Sequence, residues 1–282
     1  LRADRQPEFT QIDIEASFIE ERDIIELGSS LLKLLLKDFA NHNLDNIDEL
    51  DYAHAINKYG SDKPDLRIPL ELLEISDEAK KEEFKVFSDP AKNDESRVVA
   101  LKVGGGNKLT RSQIDEYTNF VGKLGAKGLA YIKINDVSDI ENGLQSPILK
   151  FLSKDFINAL LDKLNPVNDD LIFFGAGPSE IVNLSMSSLI KKLGKDLDLY
   201  QKDWAPCWII NFPMFETDAD NLKALHHPFT RPKEDLENFK KDASKSQAFA
   251  YDLVLNGYEI GGGSLRVHDS KMQSAIFDAL NI

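Results

Sequence analysis

The sequence predicts an α+β chain in which an antiparallel-strand domain is interrupted by an inserted compact α/β domain. Three observations predict it. Residues 9–39 read as a strand followed by a helix. From about Pro69 the rhythm changes to strands alternating with helices for roughly 130 residues, a usual domain size. After Trp204 the pattern reverts to long apolar strands. The expected segments are therefore 1–67, 68–200 and 201–282, the first and last forming one domain.

The elements follow in order. Phe9, Gln11, Asp13 and Glu15 would share one face of a strand Phe9–Ala16, and Thr10, Ile12, Ile14 and Ala16 the other. The plain reading is a strand with one wet face. Ser17 and Glu20 have capping-box spacing and open a helix through Ile24, Leu27, Leu31, Leu34 and the Leu35–Phe39 region. The polar stretch Asn41–Asp51 closes it, and a short helix at Tyr52–Lys58 ends at Gly60. Tyr59–Arg67 is turn-rich, because Gly60 frees the backbone and Pro64 restricts Lys63.

In the middle segment, strands are expected at Val98–Val103, Leu129–Ile134 and Leu171–Phe174. Helices are expected from the Thr110/Gln113 capping box to Gly125, over Ser153–Leu164, and over Ser179–Leu193 with Gly194 as the stop. The acidic run Asp77–Glu83 reads as a solvated helix face. In the last segment, strands are expected at Cys207–Met214, Tyr251–Ile260 and Ser264–His268, with a polar loop and helix at Arg231–Gln247. A final helix, about Ser270–Leu280, carries no stop signal.

Composition narrows the class without naming a function. The chain has 282 residues, 42% hydrophobic and 29% charged, which is enough for a sizeable core. It has no run of the roughly 18–20 apolar residues needed to span a bilayer. Leu1–Pro7 is largely polar and charged and does not read as a secretory signal. The single cysteine, Cys207, cannot form an internal disulfide and suits a reducing cytosol. The net charge of -14 argues against a broad electrostatic grip on nucleic acid, though a local basic patch stays open. A soluble, cytoplasmic, globular protein is expected.

Three segments carry residues suited to chemistry. In Asn256–Arg266 three successive glycines are flanked by Glu259 and Arg266. The glycines admit close approach of a ligand or another strand. The guanidinium suits a carboxylate, and the carboxylate suits a metal bridging to phosphates. A β-bulge with a surface ion pair is the competing reading. Seven positions separate Glu259 from Arg266, so a regular strand would turn them to opposite faces unless the glycines break the pleat. In Leu225–Thr230 the pair His226–His227 precedes Pro228 and could donate to an anionic substrate. With one cysteine and no second close His pair, structural zinc is not supported, and a purely structural role stays open. In Arg2–Asp13, Arg, Gln and carboxylates surround Phe9, which could stack on a base.

Together and in this order the segments resemble a known family. Arg2–Asp13 is similar to the second half of motif 2 of class II aminoacyl-tRNA synthetases, in its aspartyl form. Tyr59–Arg67, Phe212–Glu216, His226–Thr230 and Asn256–Arg266 look like segments of bacterial-type aspartyl-tRNA synthetases, and 68–200 resembles their insertion (GAD-type) domain, shared with a subunit of some tRNA-dependent amidotransferases. The resemblance covers essentially the whole chain.

It implies an aspartate–tRNA ligase, which joins L-aspartate to ATP and passes the aspartyl group to the 3′ end of tRNA(Asp). It places Gln6, Phe9, Glu259 and Gly262 at ATP, with Glu259 acting through Mg²⁺. It places Gln11, Asp13, His226, His227 and Arg266 at aspartate, Arg266 holding the side-chain carboxylate. It implies a cytoplasmic protein, a homodimeric parent, and neither membrane nor DNA as partner. The arginine and acidic residue that begin motif 2 would precede Leu1, and motif 3 would follow Ile282. The resemblance thus implies an internal piece that does not aminoacylate tRNA by itself and holds no tight Mg²⁺. The alternative is a non-catalytic tRNA- or partner-binding module, such as an amidotransferase subunit.

Overall fold

A computed structural model describes residues 8–218 and 221–282. The chain divides into two units, Leu1–Asp45 and Asn46–Ile282.

In the first unit the expected strand Phe9–Ala16 does not form. Its residues are irregular and exposed, Phe9 at 75% and Ile12 at 69%. Alternation makes a segment fit for a strand, but a strand exists only with a ladder partner, and no described residue pairs with this one. Helix α1 spans Glu21–Ala40. It begins three residues later than Ser17 suggests, because the Glu20 amide donates to Asp23 Oδ2 at 2.8 Å. Asn41, left-handed at φ 50°, ends it.

The second unit holds two larger sheets. Its first elements are strand β1 (Asp48–Asp51) and helix α2 (Tyr52–Tyr59). Then come β2 (Leu72–Glu74), α3 (Ser76–Ala79), α4 (Lys85–Ala91), β3 (Ser96–Val103), α5 (Arg111–Gly122), β4 (Ala130–Ile134) and β5 (Leu144–Gln145). Next are α6 (Lys154–Leu164), β6 (Leu171–Pro178), α7 (Ser179–Asp196) and β7 (Pro206–Ile210). The chain closes with β8 (Phe215–Asp218), β9 (Asn221–Ala224), α8 (Leu236–Lys241), β10 (Ala250–Leu255), β11 (Tyr258–Ser264) and α9 (Ser270–Leu280).

The five-stranded sheet, order β2-β3-β6-β4-β5, lies within residues 72–178. Its strands β3 and β6 carry continuous apolar runs, Val98–Leu101 and Leu171–Phe174, since both of their faces are covered. Val99, Leu101 and Phe173 pack with residues of α5 and α7 on one side. Val98, Ala100 and Phe174 pack with residues of α3, α4 and α6 on the other. Every strand pair in this sheet is antiparallel. Strand–helix alternation usually accompanies parallel strands, but two-sided burial looks the same in either arrangement, so the sequence carries no signal of strand direction.

Helix α7 runs through Gly194 to Asp196. Gly194 is there for packing: a Cβ would lie 2.4 Å from Ile68 Cδ1. The acidic run is not fully solvated either. Glu82 is buried and accepts from the Ser153 amide at 2.8 Å and hydroxyl at 2.6 Å, and Glu78 pairs with Lys163 at 2.7 Å.

The four-stranded sheet has the order β1-β7-β10-β11, with β1 and β7 parallel and the remaining pairs antiparallel. It draws on both sides of the 72–178 segment in sequence. Polar Asp48–Asp51 becomes its edge strand, because ladder bonds are made by backbone and tolerate exposed side chains. Strand β7 stops at Ile210, four residues before Met214, where Asn211 turns left-handed at φ 58°. The expected strand Tyr251–Ile260 is a hairpin: Asn256 (φ 54°) and Gly257 (φ 86°) reverse the chain between β10 and β11. The strand expected at Ser264–His268 ends at Ser264, leaving Arg266 in an isolated bridge with Thr230. Asn281 at φ 58° supplies the stop for α9. Ala55, Cys207, Ile209, Val254 and Ile276 form the core on this sheet.

Candidate active site

The β10–β11 hairpin positions the first group of functional side chains. Its turn is fixed by Asn256, which accepts from the Ala205 amide and donates to the Asp203 carbonyl, both at 2.9 Å. Across the ladder Val254 faces Glu259 and Asp252 faces Gly262. The register shifts between Leu253 and Val254, so β11 carries one extra residue. That bulge alters the face count. Glu259 and Gly262, three positions apart, come to the same face as Val254 and Asp252. Ser264 alternates onto that face too, and the strand ends there, with Arg266 following in the isolated bridge to Thr230.

This face carries a compact charge cluster. Lys63, from the loop after α2, pairs with Glu259 at 2.7 Å. Asp252 is largely buried beside them. Burial pushes its carboxyl up to about 7, the nearby Glu259 and Asp62 charges add to the rise, and Lys63 opposes it. Burial alone would lower the Lys63 pKa, but Glu259, Asp62 and Asp252 together raise it. Gly262 leaves room for the Asp252 carboxylate, since a Cβ there would lie 2.5 Å from Oδ1. Among the described residues no cluster of three His, Cys, Asp or Glu side chains could hold an ion unaided. Asp252 and Glu259 would together supply two carboxylates to a Mg²⁺, the ion that protein sites usually bind through one or two carboxylates plus substrate phosphates.

The second group flanks the same strand. The segment after His226 lies against the continuation of β11. The Val267 amide donates to Phe229 O and the Arg231 amide to Leu265 O, each at 2.8 Å, around the Thr230–Arg266 bridge. His227 accepts from the Phe229 amide through Nδ1 at 3.2 Å. The His226 ring stands edge-on to Phe212, with centroids 5.1 Å apart, and burial lowers its pKa. Its Nε2 is buried with no protein partner among the described residues. Arg266 is exposed, and its guanidinium has no hydrogen-bond or salt-bridge partner among the described residues.

The structure thus brings Glu259 and Gly262 to one face and sets Arg266 beyond the end of that strand, bridged to Thr230 in the segment that follows His226 and His227. Phe9, Gln11 and Asp13 lie in the first unit, all exposed. Gln6 lies outside the described residues. Sequence reasoning missed Asp252, Asp62 and Lys63. A signal for Asp252 was present: one carboxylate inside the apolar run Ala250–Leu255 is a costly placement that calls for a reason. Lys63 had no such signal, because its partner Glu259 is 196 positions away in sequence.

A family model described as class II tRNA synthetases (D, K and N) matches residues 1–282. The chain belongs to this family. Class II synthetases are ligases of protein biosynthesis that take an amino acid, ATP and tRNA and use Mg²⁺. For a class II synthetase, the part-buried Asp252 and the exposed Glu259 are the carboxylates that would hold the ion. Among the described residues no helix is long and apolar enough to cross a membrane.

Proposed function

We propose that the chain belongs to the aspartate-specific form of these enzymes, which make aspartyl-adenylate from ATP and pass the aspartyl group to tRNA(Asp). The observation that carries the reading is Arg266, an exposed, unpartnered guanidinium two residues beyond the strand that bears Glu259 and Gly262. A fork of this kind pairs with a carboxylate through two parallel hydrogen bonds. Facing asparagine it would lose one charge-assisted partner, and facing lysine it would meet a like charge. Among the D, K and N specificities it favours D.

In this reading His226 and His227 line the aspartate side, and Asp252 and Glu259 hold Mg²⁺ at the ATP phosphates. Bound Mg²⁺ would neutralise charge growing on the α-phosphate. The aspartate carboxylate is already a nucleophile and needs no base. The residues of the chain hold two anions together and orient them. Lys63 would exchange its bond to Glu259 for a phosphate oxygen as the metal enters. Gln6, Phe9, Gln11 and Asp13 are proposed contacts of the leading unit, Gln6 and Phe9 with ATP and Gln11 and Asp13 with aspartate; the exposed Phe9 ring offers a stacking surface.

Residues 68–200 are proposed to be the insertion domain of the bacterial-type enzymes, a reading supported by a sheet whose two faces are covered by helices of the same segment. A cytoplasmic, homodimeric parent protein belongs to the same proposal. The test is the affinity of a non-hydrolysable aspartyl-adenylate analogue for the chain and for Arg266→Leu. The substitution should weaken binding by about 2 kcal/mol or more. Equal affinities would contradict the assignment.

A further inference from the structure

The segment bearing the five-stranded sheet, together with α7, bonds at two points to stretches of chain that lead into the charge cluster. The first is Arg97 on β3, which is buried at 8% exposure. Its Nε donates to Glu74 Oε2 at 2.9 Å and its Nη1 to Asn183 Oδ1 at 2.7 Å, both within that segment and α7. The rest of the fork reaches out of it. Nη1 donates to Ile56 O at 3.3 Å, and Nη2 to Asn57 O at 3.1 Å and Asn57 Oδ1 at 2.9 Å. Ile56 and Asn57 lie in the last turn of α2, and the Gly60 amide closes on the same Ile56 carbonyl at 2.9 Å. Gly60 is itself pressed on α7, since a Cβ would stand 2.7 Å from Asn183 O. Lys63 follows three residues later.

The second point is Lys191 on α7, whose ammonium donates to Gly257 O at 3.2 Å. Gly257 forms the β10–β11 turn, two residues before Glu259. The two anchors therefore hold the two segments whose side chains meet in the Lys63–Glu259 pair. Ordinary packing between two folded layers could have used any surface residues. Here three of the four bonds go to backbone carbonyls near the site-bearing residues, and the fourth to the Asn57 side chain.

We propose that Arg97 and Lys191 are positioning residues through which the inserted segment sets the geometry of the Asp252, Glu259 and Lys63 cluster for a metal–triphosphate ligand. The proposal rests on the functional reading above. It gives the inserted segment a role at the ligand site without any residue that touches the ligand. Groups bonded directly to metal ligands typically change metal affinity by about ten- to a hundredfold when removed, and Arg97 and Lys191 act one step further out, through the backbone that carries the ligands, so the low end of that range is expected.

Mn²⁺·ATP binding to the 282-residue chain, followed by water-proton relaxation, provides the test. Lys191→Ala should raise the dissociation constant roughly tenfold while leaving the thermal unfolding midpoint in place. Lys191→Arg should restore most of the affinity. Arg97→Lys keeps the charge but loses the fork, and it should weaken binding similarly. Asp252→Asn serves as the control for the site itself. Weakened binding by Asp252→Asn together with unchanged affinity in Lys191→Ala and Arg97→Lys overturns the positioning role and leaves the functional reading standing. No binding by the unsubstituted chain, or full affinity in Asp252→Asn, overturns the functional reading and the positioning role with it.

Discussion

Asp252 concentrates the physical argument at the residue scale. A buried carboxyl with its pKa pushed up to about 7 favours the folded state when protonated, since the unfolded chain holds that proton only up to about 4. Between those values the folded chain binds more protons than the unfolded one. Without metal, the stability contributed by this group is therefore full below about pH 4 and lost as pH rises through 7, a few kcal/mol at most. Asp252→Asn should remove that slope and stabilise the metal-free chain at pH 8, as read by urea unfolding at pH 5 and pH 8. His226 acts with the opposite sign. Its pKa is lowered by burial, so its contribution is present above the unfolded value and is lost on acidification. Single residues were partly legible in the sequence. Glu259, Gly262 and Arg266 stand around a glycine run that draws attention, whereas Asp62 and Lys63 became visible only once the fold closed a gap of nearly 200 residues.

Elements were legible where their ends were written in side chains. The Thr110 box and the Ser153 cap open their helices as their spacing predicts, with Thr110 accepting from the Gln113 amide and Ser153 from the Phe156 amide. Elements failed where a partner decides. Phe9–Ala16 alternates but pairs with nothing described, and Asp48–Asp51 pairs although nothing in its side chains asks for it. The Asn256–Gly257 turn was a readable hairpin signal hidden within an apolar stretch. Gly194 shows how packing can reverse a propensity argument. In an exposed helix Gly→Ala gains about 1 kcal/mol. At Gly194 the new methyl would meet Ile68 Cγ1 at 2.7 Å as well as Cδ1, in a buried site. Gly194→Ala should therefore destabilise by about 1–2 kcal/mol in denaturant titration, the overpacking cost exceeding the helix gain. A rise in stability would show that Ile68 moves aside freely.

At the scale of the whole molecule, the mixed α+β class was legible in the helical and strand-like rhythms along the chain. The two larger sheets lie one within residues 72–178 and the other in 48–51 and 206–264. The antiparallel course of the inner sheet was not legible, because burial on both faces erases the alternation that would distinguish it. Family membership rests on the whole chain, while the choice among aspartate, lysine and asparagine rests on one guanidinium. The most direct measurement is a titration of the chain with three non-hydrolysable adenylate analogues, carrying aspartate, asparagine and lysine. Tightest binding of the aspartyl analogue, with the margin lost in Arg266→Leu, is the expected result. Tighter binding of the asparaginyl or lysyl analogue would contradict the account.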